Sequence, residues 1–386
     1  MERIEELAVG SRLLGHIDGR TTDLADGLFR NRVDAYSDPA RAVAERNTLF
    51  RDLPLFMGLS SRLAKPGDYV TEDVAGMPVL LTRGTDGAVK AFANICRHRG
   101  APVAQGCGNA RAFVCPYHGW TYDLSGSLLG TTDKVGFAGL DLGSHGLVRL
   151  PAAEKHGMLF VRPKPMEPGE SAEVDVDGNL GAIAPDLAAL KLETYPMFSV
   201  DVVKPRINWK FAIDTFLEVY HVPHLHRKTI GPYFIGNVGT FDSAGLHGRM
   251  CVARTSIDAV RGLPEAERNY RPHVITIYQL FPNTIVIWQV DHIEIWRAFP
   301  GRDDASHCEV EMTIYRPEQT DKPDAYWEKN RDIAIRTVME EDFPLGERMQ
   351  IGFESGVTEE VIYGRNEPSL VHFHSSIRAA LGAAAA

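Results

Sequence analysis

Two short segments constrain this chain more than anything else in it: CRHRG at 96–100 and CPYHGW at 115–120 each supply one cysteine and one histidine, with sixteen residues between His98 and Cys115. A zinc finger draws both cysteines from one turn and both histidines from a helix. An iron–sulfur cluster of the Rieske kind needs two thiolates on one iron and two imidazoles on the other. Two loops that each offer both donor types suit the second arrangement, cradling the group from either side. Gly100 and Gly119 fit the tight turns this demands, and Pro116 stiffens the second loop. A structural zinc site on Cys96, His98, Cys115 and His118 is the alternative, as are buried cysteines with unrelated histidines.

The texture around these loops is that of a small all-β unit. From about Gly67 to Val161, short apolar runs such as 77–81 and 158–161 alternate with Gly and Asp turns. Residues 162–181 are rich in Pro, Gly and acid with little to bury, so they read as a linker. Beyond them come a helical pattern at 209–220, strand-rich stretches at 274–299 and 308–315, and a long helical pattern from Ala325 to about Phe353. The expected fold class is α+β, with an antiparallel sheet and helices packed on one side. Before the β unit, 3–14 and 38–50 read as helices, the second with Asp38 as N-cap and Pro39 in its first turn. The expected division is a helical segment at 1–47, the β domain at 48–162, a linker at 163–180 and a second domain at 181–386.

Composition removes several classes of function. With 386 residues, 44% hydrophobic and 24% charged, the chain is globular and long enough for two domains. A net charge of −10 disfavours nucleic acid as partner, because duplex binding depends on basic neutralisation. No run approaches the roughly 18 apolar residues of a membrane helix. The opening MERIEELAVG has glutamates where a secretory signal carries lysines, so a cytoplasmic location is expected. Five cysteines, an odd number, do not make a disulfide framework, and metal ligation is the first reading for them.

A second constellation lies in 208–230, NWKFAIDTFLEVYHVPHLHRKTI, with three histidines within six residues. On a helix Glu218 and His221 share a face, while His226 lies too far around it. Pro223 is expected to end or kink that helix just after His221 and let His226 turn back to the same centre. His224 is a competing ligand. Two imidazoles and a carboxylate with open positions left over are the donor set of non-haem Fe(II) oxygen chemistry. The carboxylate must come from elsewhere, and MEEDFPLGERMQIG at 339–352 offers Glu340, Glu341 and Asp342.

CxH followed by CxxHGW in a small β domain resembles the Rieske domain of the ring-hydroxylating oxygenase family, and 208–230 is similar to that family's catalytic iron motif. The resemblance covers most of the chain from about Tyr36 and is to members that lack a β subunit. It implies a helix-grip catalytic domain, a [2Fe–2S] cluster on Cys96, His98, Cys115 and His118, and a mononuclear Fe(II) on His221, His226 and Asp342. It makes Glu218 the catalytic bridging carboxylate, and implies a head-to-tail homotrimer in which each cluster serves a neighbouring subunit. Two departures bear on substrate: Glu218 stands where many members have Asp, as in the branch acting on carnitine and other N-methylated compounds, and Asp214-Thr215-Phe216 stands where Glu-Asn-Phe is common. The chain has no GxGxxG fingerprint after a strand, so electrons are expected from a separate reductase or ferredoxin. The expected activity is hydroxylation, dihydroxylation or N/O-dealkylation of a small, aromatic organic substrate with O2. Phe211, Phe216, Leu217, Tyr278, Phe281 and Trp288 are candidates for its pocket or for core. Cys107 reads as a loop thiol. A Rieske electron carrier with a non-catalytic binding domain, or a structural zinc protein, are the competing functions.

Overall fold

The computed structural model describes residues 1, 3–302 and 304–382. The chain divides into two compact units, Phe50–Asn179 and, from both sides of it, Met1–Leu49 with the chain from Leu180 onward. The N-terminal segment is therefore woven into the larger unit instead of standing apart. Strand Phe29–Arg32 pairs antiparallel with Glu360–Tyr363. Helix Arg3–Gly19 sinks Val9, Leu13 and Leu14 among Val238, Cys251, Ala253 and Tyr270. The stretch expected as a linker lies almost wholly in the smaller unit. It is fastened by polar contacts, Lys164 to Asp52 at 2.8 Å and His156 to Asp177 at 2.7 Å, to which a reading of apolar runs is blind.

The smaller unit is all β. Among the described residues its main sheet has five antiparallel strands, in the order 149–150, 89–93, 77–83, 68–74 and 107–109. Three-stranded sheets of 152–155, 158–161 and 55–59, and of 112–114, 121–123 and 128–130, accompany it. Cys107 lies on the exposed edge strand Cys107–Asn109 and not in a loop.

The larger unit is built on an antiparallel sheet of seven described strands, in the order 197–203, 308–315, 293–300, 284–288, 274–280, 247–254 and 234–244. Period-two alternation sends one row of side chains from each central strand toward the helices. Val252, Ile275, Ile277, Ile287 and Trp296 share that face with residues of helix Asp324–Thr337, which lies across it. This is the expected α+β arrangement of a sheet gripping a helix.

The long C-terminal helical pattern is interrupted. Helix Asp324–Thr337 passes into a π-helical turn at Val338–Asp342 and continues as Phe343–Glu354, with Pro344 in its first turn. Pro344 has no N–H to give the carbonyl of Glu340, so the α-helical ladder cannot run through this point unbroken. Among the described residues no helix is long and apolar enough to cross a membrane.

Candidate metal centres

In the smaller unit the two Cys/His loops are closed by the same pair of backbone bonds. The N–H of Cys96 donates to the carbonyl of Ala101, and that of Cys115 to Trp120, both at 2.8 Å. The N–H groups of Gly100 and Gly119 donate back to the carbonyls of Cys96 and Cys115, both at 2.9 Å. Each glycine, four residues after its cysteine, has a left-handed φ, 83° and 71°, where a Cβ would be strained.

The thiols are buried in a core of Phe92, Phe113, Trp120 and Tyr122, while the half-buried imidazoles approach with ring centroids 4.6 Å apart. The Nδ1 atoms of His98 and His118 are both enclosed without a hydrogen-bond partner. An orphaned buried nitrogen costs about 1–3 kcal/mol, and a metal ion on each removes that penalty. Donors around one zinc would lie roughly 3.3–3.8 Å apart. Among the described residues the one set of His, Cys, Asp and Glu donors drawn within 4.8 Å of one another is in the other unit. Two thiols and two imidazoles from one pair of loops are the donor set of a two-iron cluster with thiolates on one iron and imidazoles on the other. The Tyr122 hydroxyl accepts from the Arg97 N–H at 3.0 Å and so turns its proton toward the Cys96 sulfur at 3.3 Å. Burial first, and the Cys96 thiol after it, push the Tyr122 pKa up and keep it a neutral donor.

In the larger unit His221 Nε2 and His226 Nε2 are 3.2 Å apart, and Asp342 Oδ1 lies 3.8 and 3.3 Å from them. Two donors about 2.1 Å from a common ion would be roughly 3.0–3.4 Å apart for octahedral to tetrahedral angles, so these three are spaced to share one ion with positions left over. His224 is exposed and outside this group.

The local structure reaches this geometry by a route other than the expected one. The helix at 209 ends already at Asp214, and Pro223 occupies the first turn of a separate short helix, Val222–Leu225, where its missing N–H does no harm. Glu218 therefore meets His221 through a turn and not along a helix face. Its Oε2 accepts from the N–H of His221 at 3.0 Å while its Oε1 bonds His221 Nδ1. Asp342 closes the π-helical turn, which places it on the inner side of its helix, 6% exposed.

Glu341, a rival ligand by sequence, faces the ring from behind: its Oε2 takes His226 Nδ1 at 2.6 Å and the Thr229 hydroxyl at 2.7 Å. Glu340 pairs with Arg336 on the surface. Each imidazole is thus held at Nδ1 by a carboxylate and presents Nε2 to the centre, which fixes its tautomer and raises its basicity. Burial disfavours a charged His226, but Asp342 and Glu341 outweigh it and raise its pKa, so the site is electrostatically prepared for a cation.

A buried brace holds the two ligand-bearing segments in register. Gln350 Oε1 accepts from the N–H of Asn208, and Asn208 caps the helix at 209 through its side chain and the N–H of Lys210. Lys210, fully buried, is held by both oxygens of Glu45 at 2.7 and 2.6 Å, and the Trp209 indole donates to the same carboxylate at 2.9 Å.

All three donors open on a cavity of about 320 Å³ whose walls include Thr215, Phe216, Ile277 and Trp296. Of the aromatic candidates Phe216 lines it. Phe211 lines a second cavity of about 290 Å³ that also reaches Glu218, His221 and Asp342. Tyr278 and Trp288 face a small void elsewhere, and Leu217 and Phe281 are core. Trp296 escaped the sequence reading, although it sits two residues after Glu294 on the same strand face.

Fold and sites together define a metalloprotein with a four-donor loop pair in one unit and a three-donor facial set in the other. The family description "Rieske [2Fe-2S] domain" matches residues 55–138, and "Ring hydroxylating alpha subunit (catalytic domain)" matches 192–383. The chain belongs to the Rieske ring-hydroxylating oxygenase alpha-subunit family, and the two matched domains bring a Rieske cluster and a mononuclear iron as its cofactors. It is 32% identical over 196 residues to the glycine betaine monooxygenase oxygenase subunit of Chromohalobacter salexigens, covering 50% of this chain and 42% of that protein. It is 31% identical over 215 residues to the carnitine monooxygenase oxygenase subunit of Escherichia coli, covering 53% and 55%. The chain thus spans about half the length of the curated relatives it matches. A solved quaternary ammonium Rieske monooxygenase superposes with a TM-score of 0.77 at 21% identity, over 93% of this chain and 96% of that one, which is a likeness of fold.

Proposed function

We propose that this protein is a terminal oxygenase component: Cys96, His98, Cys115 and His118 hold the [2Fe–2S] cluster, and His221, His226 and Asp342 the mononuclear Fe(II). When bound, the cluster supplies electrons singly and the iron uses them with O2 to oxidise an adjacent substrate carbon. The residues do the rest. Glu218 and Glu341 hold the Nδ1 protons of the two imidazoles, so that both Nε2 lone pairs face the centre. Phe216, Trp296 and the isoleucines of the sheet keep the cavity dry beside it. Glu218 is assigned as the carboxylate bridging His221 and His118 of the partner subunit in a head-to-tail homotrimer. Electrons come from a separate reductase or ferredoxin, and the setting is cytoplasmic.

The observation that carries this reading is the facial set of three donors, each imidazole backed by a carboxylate, on the wall of an apolar cavity. Relatives named for glycine betaine and carnitine, and the choice of Glu at 218, favour N-methylated substrates and oxidative N-dealkylation; the aromatic wall equally accommodates ring hydroxylation. Oxygen uptake with a surrogate reductase, screened against aromatic acids, N-methylated amines and aryl ethers, tests it. The expected result is substrate-dependent uptake matched by oxidised product. A cluster that reduces and reoxidises normally while no substrate in the panel is oxidised would identify an electron carrier instead.

A further inference from the structure

Along the sheet, the cavity beside His221, His226 and Asp342 is apolar except for Glu294 and for one corner, where strand Val274–Leu280 is flanked by Arg254 and Gln289. Arg254 ends strand His247–Arg254 with its guanidinium over the Phe234 ring at 5.7 Å. Its Nη2 donates to Gln289 Oε1 at 3.0 Å, its Nε is enclosed with no acceptor, and Nη1 takes no partner among the described residues. No described carboxylate is ion-paired with it. Asp291 and Glu294 act on it only through space, and Asp291 is otherwise engaged. Asp291 binds Lys322, the Tyr326 hydroxyl at 2.6 Å and His292 at 2.8 Å, and Glu294 lies 3.5 Å from the other nitrogen of His292. Burial opposes a charged His292, yet these two carboxylates raise its pKa to about 9, so it is protonated at neutral pH. Arg254 thus meets the cavity wall as a guanidinium with no carboxylate in ion-pair contact, Glu294 on the same wall reaching it only through space.

An unpaired guanidinium taken partly out of water is unfavourable unless something negative meets it. Gln289 strengthens the same demand: its oxygen is committed to Arg254, so it has only N–H donors to offer the cavity. We propose that Arg254 and Gln289 form an anion subsite that seats the carboxylate of the substrate, with its apolar body along Ile275, Ile277 and Ile287 in the cavity that Asp342 and the two histidines share. The substrate is therefore a small organic acid. This rests on the reading of the cavity as the place of oxidation and deepens it by naming the substrate class.

The test is binding to the iron-replete enzyme, read by calorimetry, of benzoate, 3-phenylpropanoate and trimethylglycine, each against its primary amide, in wild type, Arg254→Gln and Arg254→Lys. At least one acid binds wild type roughly tenfold to a hundredfold more tightly than its amide, as one charged hydrogen-bonding group warrants. Arg254→Gln abolishes that preference by weakening the acid and leaving the amide unchanged, and Arg254→Lys restores part of it. The proposal is overturned if no acid is preferred over its amide, or if Arg254→Gln weakens acid and amide alike. Oxygen uptake on the same samples separates the two levels. A carboxylate preference that depends on Arg254 without any turnover sinks the oxygenase reading and leaves the subsite standing. Turnover of acid and amide alike does the reverse.

Discussion

At the scale of single residues, the site is organised by carboxylates that do not touch the metal position. Glu218 and Glu341 each take one Nδ1, and their replacement by glutamine keeps the shape while removing a charged acceptor. Glu341→Gln should weaken iron binding at the mononuclear site about 10- to 100-fold, measured by chelator competition, with the visible spectrum of the cluster unchanged. Glu218→Gln should leave both metals bound and slow turnover; unchanged turnover would remove Glu218 from the bridging role. The candidate histidines could be picked out in the sequence because Glu218, His221 and His226 match the pattern of the family's iron motif, an acid three residues before one histidine and a second histidine five after it. Glu341 was visible only as one acid in a run of three. Which of those acids faces inward is set by a helical irregularity that composition does not encode. Trp296 was missed for a related reason: in a buried strand nearly every position is apolar, so the face that meets a cavity does not stand out.

The elements explain why His221, His226 and Asp342 converge. A continuous α-helix through 324–354 was the natural reading of the pattern, yet the π-helical turn at Val338–Asp342 adds a residue to one turn and thereby aims Asp342. The expected helix at 209–220 proved to be a six-residue piece whose position is fixed by tertiary contacts, chiefly the buried pair of Lys210 and Glu45. Burial lowers the Lys210 pKa and Glu45 opposes that, so Glu45→Ala strands a buried ammonium. Unfolding by denaturant should reveal a loss of about 3–5 kcal/mol. No sequence period announces such a pair, since Glu45 and Lys210 belong to segments far apart in the chain. The backbone turns of the two Cys/His loops, by contrast, were legible, because each glycine four residues after its cysteine records the turn directly.

On the scale of the whole molecule, the fold class and the presence of two centres followed from motifs, whereas the placement of the first 49 residues did not. Their attachment to the larger unit depends on a strand pairing between Phe29–Arg32 and Glu360–Tyr363 that no local signal predicts. The proposed head-to-tail trimer makes its own prediction. Co-assembly of His118→Ala chains with His221→Ala chains should recover turnover that neither variant has alone, because one subunit boundary then joins an intact cluster to an intact iron site. Mixed trimers with no recovered activity would contradict electron delivery across subunits. The central claim is that one polypeptide holds two separate iron centres, and metal and sulfide analysis tests it most directly. Wild type should contain about three irons and two acid-labile sulfides per chain. The double variant His221→Ala, His226→Ala should contain about two of each with its Rieske electron-spin signal intact. Zinc in place of iron, or loss of the cluster together with the mononuclear iron in that variant, would contradict the account.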